Sequence, residues 1–329
     1  MDEIALIALF ADEESQECSI INNSHGKEDF RQTLIVKLNS GRKIVIKVAN
    51  NSFTTSETIK MWQRCAEEYK NMGYYCPQIH TAMDGTFPQV CYKDRICFAY
   101  AEDYSIYQSA DQCGNVKPFR EALYRMTAKI ARERFNYTDM PSGYCLFELY
   151  PGDEVDEVTE NALDFYHYCK TLPESFYEQT SRMFMRWKNN RDELERLYFK
   201  LPFSVFQADF NDTNVLVDAD GNFVGISDFN LAGKDQFLNY LFREIYLGSF
   251  DEELSEILRA LEVASEVYSF SEAEIEAAPL IYRCVKPLWF TRVQTLKQAC
   301  HDYDQVKNIL DEMENAQIRN IEFRSAMKR

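Results

Sequence analysis

Residues 18–49 hold two runs rich in β-branched and apolar positions, ECSIINN and TLIVKLNSGRKIVIKVA, and the second is broken by Asn39-Ser40-Gly41-Arg42. Runs of this kind are predicted to be strands, and the break has the composition of a hairpin turn. Within the last run Ile44, Ile46 and Val48 alternate with Val45 and Lys47, so Lys47 is expected on the face opposite Ile46. From Thr54 the period changes. Ile59, Trp62, Cys65, Ala66 and Tyr69 recur at helical spacing, Thr54, Thr55 or Ser56 can cap a helix to about Met72, and Gly73 can end it. After Pro77, FPQVCY and RICFAYA read as further strands parted by Lys93-Asp94.

From about Asp103 the pattern is mainly helical, in PFREALYRMTAKIARERF, ENALDFYHYCKTL, ESFYEQTSRMFMRWKNNRDELERLYFKL and several segments after Phe250. The chain is therefore expected to be α+β and two-lobed. Residues 1–102 form a small antiparallel β-sheet lobe with one helix, and residues 103–329 a larger, mainly helical lobe. One β interruption stands inside the helical lobe: residues 206–229, FQADFNDTNVLVDADGNFVGISDF. There Val215-Leu216-Val217 and Phe223-Val224-Gly225-Ile226 flank Asp218-Ala219-Asp220-Gly221, which predicts a hairpin.

Composition narrows the function. With 329 residues, 46% hydrophobic and only 11 Gly and 9 Pro, the chain is globular. A formal charge of −17 argues against sequence-independent nucleic-acid binding and against anionic membranes, while favouring cationic ligands if carboxylates line a cleft. The ten cysteines form no CxxC pair and only four histidines are present, so no zinc spacing can be written and the thiols read as core residues in a reducing compartment. MDEIALIALFADEE has an apolar run, but acids rather than bases precede it, and no run approaches the roughly 20 apolar residues that span a bilayer. A cytoplasmic protein is expected.

The hairpin needs its Val, Leu and Ile as scaffold. It does not need Asp209, Asn214 and Asp228, which stand just outside the two strands. Singly, each has an ordinary use as a turn or cap residue. Together they match what phosphoryl transfer requires: a carboxylate to take a hydroxyl proton, and oxygen ligands for a divalent cation. Asn214 follows Asp209 by five residues, and Asp228 lies across the hairpin.

This arrangement resembles the aminoglycoside phosphotransferase and choline kinase superfamily, which shares the protein-kinase-like fold. The family pattern is approximately His-Gly-Asp-Leu-x-x-x-Asn-[Ile/Val]-Leu, a hairpin, then [Val/Ile]-Ile-Asp-[Trp/Phe]. Here it reads Gln207-Ala208-Asp209-Phe210, Asn214-Val215-Leu216-Val217-Asp218 and Gly225-Ile226-Ser227-Asp228-Phe229, with Gln207 replacing His and Ala208 replacing Gly. The resemblance implies an enzyme that moves the γ-phosphate of ATP or GTP to a hydroxyl of a small molecule. Asp209 would be the catalytic base, with Mg²⁺ held by Asn214 and Asp228. Lys47, in RKIVIKVA, falls where kinases carry the strand lysine that contacts α- and β-phosphates. Its acidic partner is expected from the following helix, where Glu57 and Glu68 both border the apolar stripe. That choice stays open.

No GxGxxG or GxxxxGK[ST] is present, which argues against Rossmann and P-loop sites. The segment Ile21-Asn22-Asn23-Ser24-His25-Gly26-Lys27 would cover the phosphates. By resemblance, adenine would bond to backbone in the lobe connector, around Phe98 to Glu102. Residues 251–280 hold nine acids and one base, and residues 148–160 six acids and no base. Such a wall suits a cationic acceptor, an aminoglycoside or amino alcohol, and equally a solvated acidic face. Tyr282, Trp289 and Phe290 have the types of a cation-binding box, but their spacing favours a core-facing helix stripe. After Asp228 the family's Gly-Asp-Pro segment is replaced by Gly233-Lys234-Asp235-Gln236 and then Asn239. An alternative reading is a catalytically degenerate kinase-like protein that binds nucleotide or a partner. A protein kinase is a weaker third, because no Ala-Pro-Glu segment follows Asp228.

Overall fold

The alternation of Ile44, Ile46 and Val48 is realised as a strand whose one face is buried against other sheet residues. The structure, a computed structural model, describes residues 1–24 and 28–328. In chain order its first elements are α1 (Glu3–Ile7), β1 (Ser15–Asn22), β2 (Phe30–Leu38), β3 (Lys43–Asn50), α2 (Ser56–Asn71), β4 (Ile79–His80), β5 (Gln89–Tyr92), β6 (Arg95–Asp103) and β7 (Gln108–Ser109). Then come α3 (Arg120–Glu133), α4 (Glu157–Cys169), α5 (Tyr177–Tyr198), β8 (Phe203–Phe206), β9 (Val215–Val217), β10 (Phe223–Ile226) and β11 (Gly233–Gln236). The chain closes with α6 (Phe237–Glu244), α7 (Phe250–Ser265), α8 (Glu272–Val285), α9 (Phe290–Gln298), α10 (Tyr303–Ile318) and α11 (Phe323–Met327). This is the expected α+β architecture, an antiparallel sheet region and a helical region.

The contacts divide the chain into two compact units. One comprises residues 1–119 and 207–233, the other residues 120–206 and 234–329. The change of period near residue 103 had placed a boundary at 102, whereas the contacts carry the first unit on to Phe119 and return residues 207–233 to it. The reason is local pairing. β7 pairs with β9, Gln108 opposite Val217, and Gly225 bridges to Tyr75. A Cβ on Gly225 would stand 1.8 Å from the Tyr75 carbonyl oxygen, so only glycine admits this approach.

In the first unit the sheet runs β1-β2-β3-β6-β4, with β5 also on β6, and every pairing is antiparallel. The turn between β2 and β3 closes at Gly41, whose φ is +86°. Lys93 and Asp94, at φ +48° and +61°, make the tight turn between β5 and β6. On one side of the sheet Leu34, Val36, Ile44, Ile46, Val48, Ala99 and Ala101 form a core with Leu6 and Ile7 of α1. α2 starts at a capping box built by Thr55 and Thr58 and buries Ile59, Trp62, Cys65, Ala66 and Tyr69, the stripe read from the sequence.

The second unit is a helical assembly in which the Trp187 indole of α5 donates to the Cys284 carbonyl of α8 at 3.2 Å. Tyr282 and Trp289 are buried there, as the core reading requires, while Phe290 is exposed. Among the described residues no helix is long and apolar enough to cross a membrane.

Candidate active site

Antiparallel register places the polar residues of the sheet's other face. Lys47 on β3 stands opposite Thr33 on β2 and Tyr100 on β6, and Val45 stands opposite Glu102. Because side chains alternate, Thr33, Lys47, Tyr100 and Glu102 share the face away from the apolar core. The Lys47 ammonium donates to Asp228 Oδ1 at 2.8 Å and lies 3.1 Å from Glu102 Oε1, its side chain 17% exposed. Burial alone would lower the Lys47 pKa, but the carboxylates of Asp228 and Glu102 outweigh it and push it well above its ordinary value. Burial raises the Glu102 pKa, against the opposing pull of Lys47.

The acid beside Lys47 is therefore Glu102, on the adjacent strand. Neither helix candidate reaches it. Glu57 is exposed and accepts from Ser56, and Glu68 stands 3.8 Å from Arg64 on its own helix. Where α2 faces this side of the sheet, Trp62 packs against Tyr100, with ring centroids 6.0 Å apart. Sequence did carry a signal for Glu102: a carboxylate in phase with Tyr100, both out of phase with Ala99 and Ala101 in RICFAYAED. The segment expected to hold adenine is also strand rather than connector. Phe98 to Glu102 belong to β6, flanked by β3 on one side and by β5 or β4 on the other, so the irregular connection begins after Asp103.

The hairpin residues are fixed by a small network around Gln207, which is fully buried. Gln207 Nε2 donates to the carbonyls of Ser227 and Asp228, both at 2.8 Å, and Gln207 Oε1 accepts from the Asp209 amide at 2.8 Å. The Tyr69 hydroxyl accepts the Gln207 amide at 3.2 Å, and the Tyr69 ring meets Phe229 edge-on at 5.4 Å. One amide side chain thus ties the backbone of Asp209 to that of Asp228, the bridging task that a histidine with one donor and one acceptor would perform with fewer bonds. Ala208 has φ +110° and Asp228 φ +59°. The first is a conformation natural to glycine, which accounts for the glycine of the resembling pattern and leaves local strain where alanine replaces it.

Asp209 is exposed. Its Oδ1 accepts from the Asn211 amide at 2.9 Å and its Oδ2 from Asn214 Nδ2 at 3.1 Å. Asn214 is mostly buried, and its carbonyl accepts the Ser227 amide across the hairpin at 2.8 Å. With Nδ2 committed to Asp209, the amide oxygen of Asn214 is the end left to act as a ligand. Lys47, Asp209, Asn214 and Asp228 all line one cavity of about 410 Å³, together with Arg31, Thr33 and Tyr100. The volume suits a small-molecule site. Among the described residues no group of three or more His, Cys, Asp or Glu could hold a metal alone. One carboxylate and one amide oxygen instead fit Mg²⁺, which takes hard oxygen donors, keeps waters and shares substrate phosphates.

Asn23 lines the same cavity, whereas His25, Gly26 and Lys27 of the expected phosphate-covering segment lie outside the described residues. The acids of residues 251–280 are largely engaged within the helical unit. Asp251 pairs with Arg319, Glu256 with Tyr124, Glu266 with Arg125 and Glu272 with Lys328, while buried Glu253 stands 3.6 Å from Lys286 and Glu274 closes a helix cap. This stretch is mostly internal ion pairing rather than a free acidic wall. Asp235 is buried and accepts from Asn239 at 2.9 Å, so the segment replacing Gly-Asp-Pro is part of the packing.

The fold these elements build is protein-kinase-like, as in solved structures of small-molecule kinases. Among solved structures, the chain is similar to a microcompartment-associated aminopropanol kinase, with a TM-score of 0.60 and 14% identity over 95% of this chain and 94% of that one. It is also similar to the amicoumacin kinase hAmiN in complex with AMP-PNP, Ca²⁺ and its ligand, with a TM-score of 0.55 and 14% identity over 99% and 97% of the two chains. An aminoglycoside phosphotransferase from Alicyclobacillus acidocaldarius gives a TM-score of 0.55 at 13% identity, over 99% and 94%. No family model and no curated protein matches the chain by sequence.

Proposed function

We propose that the protein is a small-molecule kinase, transferring the γ-phosphoryl group of ATP or GTP to an acceptor hydroxyl. The observation that carries this reading is the convergence of Lys47, Asp209, Asn214 and Asp228 on one cavity in a chain with a phosphotransferase fold. Asp209, exposed and oriented by Asn211 and Asn214, takes the acceptor proton while the acceptor oxygen bonds to the γ-phosphorus. The bond from that phosphorus to the β-phosphate oxygen breaks, and the nucleoside diphosphate leaves. Lys47, held by Glu102, releases Asp228 and turns its charge to the nucleotide phosphates. Asp228 and Asn214 would hold Mg²⁺, which when bound neutralises charge on the phosphates. The structural neighbours include an aminopropanol kinase, an amicoumacin kinase and an aminoglycoside phosphotransferase, so acceptors bearing an amine and a hydroxyl come first in a screen.

The test combines binding with turnover. Thermal shift with ATP or GTP, with and without Mg²⁺, is followed by a phosphorylation screen across amino alcohols, aminoglycosides, nucleosides and sugars. We expect Mg²⁺-dependent stabilisation and at least one phosphorylated acceptor, with Asp209→Ala losing turnover while keeping nucleotide binding. Equal turnover in that variant would sink the assignment of Asp209. Stabilisation by nucleotide with no acceptor turned over would favour the degenerate, binding-only reading.

A further inference from the structure

The cleft face of the sheet carries a second cation for which the reaction described so far has no use. Arg31 on β2 stands opposite Ala49, two residues along from the Thr33–Lys47 pair, and so projects from the same face as Lys47. Diagonal neighbours on adjacent strands are roughly 7–8 Å apart, within reach of long side chains converging on one ligand. Both line the cavity that holds Asp209, Asn214 and Asp228. Along β3 the order is fixed by register. Glu102 lies opposite Val45, Tyr100 opposite Lys47, and Arg31 opposite Ala49, at the end of the cleft farthest from Glu102.

The guanidinium is held in place before any ligand arrives. Arg31 Nε donates to Asp29 Oδ1 at 2.9 Å, and Nη2 also bonds to Asp29. Asn51 Nδ2 donates to the same carboxylate at 3.0 Å, while its own oxygen accepts the Thr54 amide at 2.8 Å, which ties Asp29 to the loop before α2. The Arg31 carbon lies 5.6 Å from the centre of the Phe53 ring. Asp29 uses the Nε and Nη2 edge, so the Nη1 end of the guanidinium is not engaged by Asp29, and Arg31 lines the cavity. A planar fork anchored along one edge is suited to phosphate oxygens.

We propose that Arg31 binds the terminal phosphates of the nucleoside triphosphate, taking the place of a glycine-rich phosphate loop, with Asp29 as its positioning residue. This rests on the nucleotide-binding reading above. Lys47 would serve the inner phosphates and Arg31 the outer ones, so loss of Arg31 weakens triphosphates selectively. A merely structural Arg31–Asp29 pair would change all ligands alike, through the stability of the fold.

The experiment measures Kd for ATP, GTP, ADP, AMP and adenosine by calorimetry in the presence of Mg²⁺, for the wild type, Arg31→Gln and Arg31→Lys, with Tm recorded for each. We expect Arg31→Gln to weaken the preferred triphosphate about 10- to 100-fold. AMP and adenosine should change by less than about twofold, and Arg31→Lys should fall in between because lysine keeps the charge but loses the fork. Should Arg31→Gln fail to fold, Arg31→Lys still decides: a Kd for triphosphate equal to wild type overturns the role of Arg31. Wild type that binds nucleotide while both variants bind triphosphate equally well overturns this inference alone. Wild type that binds no nucleotide overturns the reading beneath it as well.

Discussion

The Lys47 ammonium lies 3.1 Å from the Glu102 carboxylate, and the acid comes from the neighbouring strand instead of the helix that follows the lysine. A strand partner is rigidly registered, since Val45 opposite Glu102 and Lys47 opposite Tyr100 leave the two side chains one step apart on one face. Movement of α2 would then alter the cleft wall without uncoupling the lysine from its acid.

If Lys47 has the proposed role, Glu102→Gln is expected to lower kcat/KM by about 10- to 100-fold, because a lysine displaced by even about 1 Å from bound phosphates loses much of its effect. Glu57→Gln and Glu68→Gln should stay within about twofold of wild type, as neither touches Lys47. Steady-state kinetics on the three variants checks this; loss of activity in a helix variant with Glu102→Gln unaffected would reverse it.

Lys47→Met should give a pH-dependent loss of stability. Burial raises the Glu102 pKa above its ordinary 4.5 and Lys47 pulls it down, so removing Lys47 raises it further. An acid with a raised folded pKa loses stability as pH climbs past its unfolded value. The gap between wild type and variant should thus widen from about pH 4 to neutrality, reaching about 3 kcal/mol. The Lys47 pKa is raised above its ordinary 10.5, so its own contribution is complete below that value and lost as pH rises through the folded pKa. The gap should narrow again in strong alkali. Urea unfolding across the pH range reads the curve, and a gap independent of pH would count against the buried pair.

Ala208→Gly is expected to stabilise the fold by about 1 kcal/mol, because φ of +110° is strained for alanine and ordinary for glycine. Gln207→Leu should act in the opposite direction, leaving the Asp209 amide and two carbonyls without their side-chain partner, at a cost of about 3 kcal/mol. Denaturant midpoints for both variants test the pair; a destabilised Ala208→Gly would contradict the assigned backbone conformation.

Asp228→Asn should abolish the Mg²⁺-dependent part of nucleotide stabilisation, which at a ligand concentration a hundred times Kd amounts to about 2.7 kcal/mol. Asn214→Ala should reduce that part and also lower turnover, since Asn214 orients Asp209. Thermal shift with and without Mg²⁺ separates the outcomes. Retention of the full metal effect in Asp228→Asn would overturn the proposed role of Asp228 as a metal ligand.

The periodicity of residues 30–72 was enough to place β2, β3 and α2, because burial of one face imposes period two on strands and 3.6 on helices whatever their partners. Local chemistry likewise marked the hairpin and drew attention to Asp209, Asn214 and Asp228, which stand outside its strands and line one cavity. What lay beyond it depended on which strands become neighbours. Glu102 and Lys47 are 55 positions apart in the chain, and only the β3–β6 register makes them partners. Residues 207–233 read as part of the helical half, yet β7–β9 pairing and the contact at Gly225 return them to the sheet unit. A linear pattern records which face of an element is buried; it does not record which other element buries it, and the lysine's partner was decided by that second fact.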